Sequence, residues 1–520
     1  MSMTTTTRFS TARAFGLAWL ALAACAVGCG SDEGTAPSVT TPGSRGVVQG
    51  GAQDAARFRA LVEAGEVPAP DVLDPVGFFA EHALDLPPAD CGEELCFHPS
   101  LAVAPRFQAG NWTMAFVAMN TSVDASTLAR PPVHVALVVQ TDGGLGRSIT
   151  AGLRALIDAL RPGDRVTLVP FGSAVHEVLA DVAPDSVELD AALDTLLFAA
   201  DAGPAPYDGL AAAARALAAT PPGTARRLVL VTNGLATRGI TSPERIVALA
   251  ESIARDTTSL GVVGFGDDYD ARLPTAIGDL GAGTYAYAQS EADLTAALRL
   301  EGETTLFPLA TELELRVVPA PGYRVGRVYG ASRARADAAG NVATLASPAL
   351  FIGQRTGSSD VGGGRRGGGG GLFVELIADG SLGIFAGAPA FSLEASWISS
   401  SGEPRSYVRP VLNELAPGQN PATMWPFFSD PERGKPYMML NMYLALRFVT
   451  AFYEAGDCAR AMGLVDLVTP GVELWQARYD DVDIDADYRL MLQLRQNVED
   501  ACVVTAPVPP QDFEGGCMGI

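Results

Sequence analysis

Three stretches of the chain hold residue types from which a metal or catalytic site could be assembled. The first is 133–145, Val-His-Val-Ala-Leu-Val-Val-Gln-Thr-Asp-Gly-Gly-Leu, where an apolar run ends at Gln140 and Asp142. It reads as a buried strand running into a tight loop, which would deliver those side-chain oxygens to a sheet edge. The second is the acidic run of 480–487, Asp-Asp-Val-Asp-Ile-Asp-Ala-Asp. Carboxylates suit hard cations such as Ca²⁺, but an EF-hand starting at Asp483 would need Gly where Tyr488 stands and Glu where Leu494 stands. A solvated acidic turn ahead of a helix over 488–500 is expected instead, since acids suit helix starts. The third is Cys91, Cys96 and His98, which lack a nearby fourth ligand.

Other candidates carry less chemistry. The glycine run 362–371, broken by Arg365 and Arg366, lacks the Gly-x-x-x-x-Gly-Lys-Ser/Thr spacing and lies between strands, so a flexible hairpin is expected. His82, His98, His134 and His176 show no His-x-x-x-His spacing, and no Ser sits in a Gly-x-Ser-x-Gly setting. No nucleophile–base pair or acid pair emerges, so the expectation is a protein that is not an enzyme, with no catalytic residues.

The elements that must position these residues follow from periodicity. The block 131–303 alternates strands and helices in the manner of a parallel sheet. Strands are predicted over 133–139, 165–170, 228–232, 260–265 and 284–288. Helices are predicted over 148–160, 189–197, 207–218, 243–255, 270–280 and 291–299. Ser242-Pro243-Glu244 is a strong helix start: a capping hydroxyl, Pro in the first turn, then an acid. Before this block, 54–65 and 74–82 read as short helices and 97–120 as strands. After it, 304–412 carries short alternating runs with turn residues between them, which suggests a β-sandwich. A Pro-rich connector over 413–433 leads to helices over 436–503.

The ends and composition bound the setting. Arg8 and Arg13 precede an apolar run, 14–28, too short to span a bilayer. Leu22-Ala23-Ala24-Cys25 and Ala26-Val27-Gly28-Cys29 both resemble lipoprotein cleavage sites, so Cys25 or Cys29 is expected to carry a lipid. Neither places Asp directly after the Cys, and by analogy with enteric bacteria the outer membrane is the expected location. The polar stretch 30–53 reads as a flexible tether. No second apolar stretch reaches membrane length, so the body is expected to be soluble and held by its lipid. A net charge of −23 argues against nucleic acid or an anionic membrane as a partner. Export permits disulfides among Cys91, Cys96, Cys458, Cys502 and Cys517. Cys91–Cys96 would close a short loop, Cys458–Cys502 would staple two helices, and Cys517 would be left over; the connectivity is open.

Several motifs in order resemble one family. Leu160-Arg-Pro-Gly-Asp-Arg-Val-Thr-Leu-Val, Arg226-Arg-Leu-Val-Leu-Val-Thr-Asn-Gly, Gly264-Phe-Gly and Gly283-Thr-Tyr-Ala-Tyr are similar to successive passages of the von Willebrand factor A domain. The stretch from Asp54 to Pro68, followed by Val76-Gly-Phe-Phe, resembles the N-terminal segment of bacterial lipoproteins that carry such a domain and a C-terminal domain of unknown function. The resemblance implies a lipoprotein signal region (1–29), a tether (30–53), an N-terminal associated segment (54–130), a doubly wound, mostly parallel α/β domain (131–303), a β-sandwich (304–412), and a connector with a helical module (413–520).

It also implies a metal-ion-dependent adhesion site at the first strand's end. There the family supplies Asp-x-Ser-x-Ser, a Thr from a second loop and an Asp from a third. Here those positions align with Gln140, Asp142, Gly144, Pro204 and Asn233, so every one differs. Mg²⁺ and Mn²⁺ favour oxygen ligands in octahedral geometry, and amides do not offset their charge. The expectation is no cofactor: a vestigial site held by amide hydrogen bonds. The C-terminal strand ends would still form a crevice presenting Gln140, Asp142, Arg147, Asn233 and Arg238 to an unidentified protein partner in the cell envelope. The alternative is a cation-dependent adhesin rewired around Asp142.

Overall fold

The computed structural model describes residues 45–51, 54–105, 111–141, 146–196, 203–266, 268–280, 283–331, 333–353, 370–379, 386–413 and 431–502. The leader with Cys25 and Cys29, the loop residues Asp142 and Gly144, most of the 362–371 glycine run, most of the connector, and Cys517 lie outside these. The described residues begin with strand β1 (Arg45–Gln49), helices α1 (Ala56–Glu63) and α2 (Pro75–Ala80), and strands β2 (Cys96–Pro105) and β3 (Asn111–Thr121). Residues 45–49, expected as part of a flexible tether, are therefore a strand: Val47 and Val48 are buried, and β1 pairs with β3 at one end.

The α/β domain follows. Its six strands are β4 (Val133–Gln140), β5 (Arg165–Phe171), β6 (Leu179–Val182), β7 (Ala225–Thr232), β8 (Thr258–Phe265) and β9 (Thr284–Ala288), in the order β6-β5-β4-β7-β8-β9. All pairs are parallel except β5–β6. The central strands are apolar on both faces because helices cover both. Helices α3 (Gly146–Ile157), α4 (Val187–Asp194) and α8 (Glu291–Leu300) pack on one face through Ile149, Leu153, Leu189 and Leu298. Helices α5 (Pro206–Leu217), α6 (Pro243–Arg255) and α7 (Arg272–Gly278) pack on the other through Leu210, Ile246, Ile253 and Ile277. Helix α6 begins as its sequence dictates: the Ser242 hydroxyl accepts the Arg245 N–H, with Pro243 in the first turn.

A π-helical turn, Glu301–Thr305, leads into β10 (Ala310–Pro319), β11 (Tyr323–Tyr329), β12 (Ala334–Ala336), β13 (Ala343–Ile352), β14 (Gly371–Ala378), β15 (Pro389–Ser399) and β16 (Pro404–Leu412). These do not form a sandwich by themselves. They join the N-terminal strands in the order β11-β14-β3-β1-β13-β10-β15-β16, with β2 on β3 and β12 on β13. Strand β1 pairs with β3 through Arg45 and Gly46 and with β13 through Val47, Val48 and Gln49, so it joins two facing layers. Alternate residues Ala115, Val117 and Met119 of β3 share a core with Leu313, Leu315 and Val317 of β10. The N-terminal segment and the β-sandwich are thus one structure, into which the α/β domain is inserted between β3 and β10. Its pairings are too distant in sequence for local periodicity to reveal.

The other face of β3, Met114, Phe116 and Ala118, packs against α1, α2 and three C-terminal helices. These are α9 (Pro431–Glu454), α10 (Cys458–Gln476) and α11 (Val482–Ala501). Disulfides join Cys91 to Cys96 and Cys458 to Cys502. The acidic run is not the solvated turn expected of it. Helix α11 begins at Val482 with Asp481 as its cap, and Asp483 and Asp487 are buried. Asp483 pairs with Lys435 (2.8 Å), and Asp487 meets Arg59 (3.1 Å) and His82 (2.8 Å). Isolated buried carboxylates would be prohibitive, so these partners are a condition of the packing.

The sandwich meets the α/β domain at the N-terminal edge of the parallel sheet. There Arg227 donates to Glu301 (2.5 Å) and to Thr284 Oγ1 (2.6 Å), fully buried beneath the Phe351 ring of β13. The C-terminal strand ends are left at the opposite edge. Among the described residues no helix is long and apolar enough to cross a membrane.

Candidate functional site

Strand β4 ends at Gln140 and β7 at Thr232, side by side in the parallel sheet. The sheet is completely buried here, so an unpaired polar group at either strand end costs free energy and partners within the sheet are favoured. Gln140 is 0% exposed. Its Oε1 accepts the Thr232 hydroxyl (2.7 Å) and the Asn233 backbone N–H (3.0 Å). Among the described residues its Nε2 is enclosed without a hydrogen-bond partner.

The neighbouring loops are fastened by their own backbones. Thr141 donates its N–H to the Phe171 carbonyl (2.9 Å) and its hydroxyl to the same oxygen (3.1 Å). Asn233 Oδ1 accepts the Leu235 N–H (3.1 Å), and the Asn233 carbonyl accepts the Asp270 N–H (2.9 Å). The Pro204 carbonyl accepts from Thr237 (3.0 Å) and Arg238 (3.2 Å), joining the second loop to the third. Two glycines permit these approaches. Gly234 has φ +79°, and a Cβ there would lie 1.9 Å from the Asp270 carbonyl oxygen; Gly203 has φ +99°, with Thr237 Oγ1 equally close.

Gln140, Pro204 and Asn233 therefore sit around one sheet edge, as expected of aligned site positions, while Asp142 and Gly144 fall outside the described residues. The three described positions do not fit a hard divalent cation. Gln140 has spent its oxygen on two donors, its other terminus is an amide N–H₂, Pro204 has no side-chain oxygen, and Asn233 Oδ1 caps its own loop. Among the described residues no group of three or more His, Cys, Asp or Glu is placed to hold a metal ion. Helix α3 carries Arg147 at its start, and Arg238 is exposed on the third loop.

Beside this edge lies an open groove of about 630 Å³ that sequence reasoning missed. One wall is helix α1, with Arg57 and Leu61; the other is Leu235 and the residues from Asp268 to Arg272. Asp54 creates this arrangement. Its Oδ1 accepts the Ala56 N–H (2.6 Å) at the start of α1, and its Oδ2 accepts the Tyr287 N–H of β9. The helix is thereby pinned along the sheet's last strand, and the Arg57 guanidinium lies over the rings of Tyr287 (5.4 Å) and Tyr269 (5.8 Å). Tyr269 donates to the Tyr285 hydroxyl (2.8 Å), and burial pushes both phenols above their usual range. Asp270 is held below the usual carboxylate range by its hydrogen bonds from Arg272, so that pair neutralises itself. No local signal in the sequence could have placed Arg57 here, because the contact depends on α1 crossing to β9.

No protein-family model matches the chain, and no curated protein does. Solved structures similar in arrangement do exist. One is a von Willebrand factor type A protein from Catenulispora acidiphila, at 15% identity over 73% of this chain and 87% of that one, with a TM-score of 0.46. Another is the ArnB paralog VWA2 from Sulfolobus acidocaldarius, at 12% identity over 78% and 98%, with a TM-score of 0.42. A third is the pilus adhesin SpaC from Lactobacillus rhamnosus GG, at 12% identity over 63% and 48%, with a TM-score of 0.30. The chain has a mostly parallel, six-stranded α/β domain inserted in a β-sandwich and completed by a helical module.

Proposed function

We propose that this chain is an exported, lipid-anchored protein of the cell envelope that binds another protein without a divalent cation. The observation that carries the metal-free reading is the engagement of Gln140 Oε1 by Thr232 and Asn233. A cation would have to displace two short internal hydrogen bonds and face a buried amide donor, without gaining a charged ligand from Gln140, Pro204 or Asn233. What remains is a rigid, cross-linked sheet edge on the side away from the sandwich, suited to presenting a fixed surface. The lipid anchor rests on the Cys25 and Cys29 sequences, and no catalytic role is assigned to any residue.

Capture of envelope proteins by the tagged full chain, in parallel with EDTA and with millimolar Mg²⁺, tests the interaction reading. The same partner should be retained in both. A partner held only with Mg²⁺ would replace this reading with a cation-dependent adhesin built around Asp142. Labelled fatty acid should enter the parent chain and be lost in the Cys25→Ser or the Cys29→Ser variant; no label in the parent, or label retained in both variants, would contradict the anchor.

A further inference from the structure

We propose that the groove between α1 and the third loop binds a single carboxylate of a partner peptide through Arg57, flanked by an aliphatic side chain of that peptide. The inference rests on the interaction reading above and names its ligand chemistry.

Three observations lead to it. First, Arg57 is half-buried with its guanidinium over two tyrosine rings, which restricts the side chain and lowers the entropy lost when it binds. Second, no carboxylate among the described residues lies within ion-pair distance of Arg57, whereas its neighbour Arg272 is committed to Asp270 at 2.6 Å. A guanidinium held in place, with its donors uncommitted among the described residues, is complementary to a carboxylate, which it can bind through two parallel hydrogen bonds. Third, Leu61, Val72 and Leu235 line the same groove and offer an apolar surface beside the charge. Asp268, exposed on the rim, would repel a second acid, so the site favours one carboxylate rather than an acidic tract. The carboxylate would be held by a fixed side chain, with no cation between protein and ligand.

The test is selection of a phage-displayed random heptapeptide library on the full chain in EDTA. Binding of the enriched peptides is then measured by fluorescence anisotropy. Enriched peptides should share one Asp or Glu beside an aliphatic residue. Replacing that acid by its amide, or Arg57→Gln in the protein, should weaken binding roughly tenfold to a hundredfold. Arg57→Lys should retain part of the affinity, and Asp268→Asn should bind at least as tightly as the parent. An unchanged melting temperature would separate a lost contact from a lost fold. Enriched peptides without an acid, equal binding by Arg57→Gln, or no enrichment over bare support would each overturn the proposal while leaving the metal-free reading intact. Peptide binding that appears only when Mg²⁺ replaces EDTA would instead overturn the metal-free reading.

Discussion

Replacing Gln140 by Leu tests whether the amide is an internal lock. The two side chains are similar in volume, so the change removes polarity with little change in packing. Its Oε1 serves two donors, the Thr232 hydroxyl at 2.7 Å and the Asn233 N–H at 3.0 Å. A buried donor deprived of its acceptor costs about 1–3 kcal/mol, so the loss is about 2–6 kcal/mol. The substitution also removes Nε2, an amide donor that is buried without a partner among the described residues. That returns about 1–3 kcal/mol on the same scale, leaving a net destabilisation of about 1–3 kcal/mol. Urea unfolding followed by tryptophan fluorescence and circular dichroism would measure it, with the midpoint compared at constant slope. Gln140→Glu is the companion. It keeps an acceptor but introduces a buried carboxylate, and its destabilisation should be larger at pH 8 than at pH 5. A Gln140→Leu variant within about 0.5 kcal/mol of the parent would refute the lock.

Asp74 caps α2 by accepting the Gly77 N–H, and burial raises its pKa to about 7. A raised carboxylate contributes stability that is present below its unfolded value and lost as pH rises through the folded one. The melting temperature of Asp74→Asn, which keeps the cap oxygen, should therefore gain on the parent between pH 5 and pH 8; a constant difference would contradict this. Lys435→Met strands the buried Asp483 and should cost about 3–5 kcal/mol at pH 7 by urea unfolding. Burial works against ionisation of Asp483, but Lys435 holds it below the ordinary range, so that contribution is present above about pH 4 and lost on acidification. The penalty of Lys435→Met should shrink as pH falls, and a penalty independent of pH would count against the pairing. Replacing both Cys458 and Cys502 by Ser opens a loop with a sequence separation of 44 and should cost about 4 kcal/mol on chain entropy, measured the same way; no loss of stability would show the staple to be idle.

What could be read in advance divides by range. Strand β4 was legible because its apolar run is uninterrupted and both faces are covered. Helix α6 was legible from the local chemistry of Ser242 and Pro243. Strand β1 was not, because Arg-Gly-Val-Val-Gln carries little pattern and pairs with β3 and with β13, which follows far along the chain. The acidic run misled for the same reason. Its neutralising partners, Arg59, His82 and Lys435, lie on other helices, so the run looks solvated when viewed alone. At the candidate site, alignment pointed to Gln140, Pro204 and Asn233, which the fold places around one sheet edge, and their residue types gave the expectation of a poor metal site. The direction of the Gln140 amide and the placing of Arg57 over two tyrosines needed the fold.

The most direct test of the central claim is the melting temperature of the body, residues 40–520, measured in EDTA and across Mg²⁺, Mn²⁺ and Ca²⁺. An ion at a hundred times its dissociation constant would add about 2.7 kcal/mol to stability and raise the transition visibly. The metal-free account predicts the same temperature at every millimolar concentration. A saturable rise that Asp142→Ala abolishes would contradict it and establish a working cation site on this sheet edge.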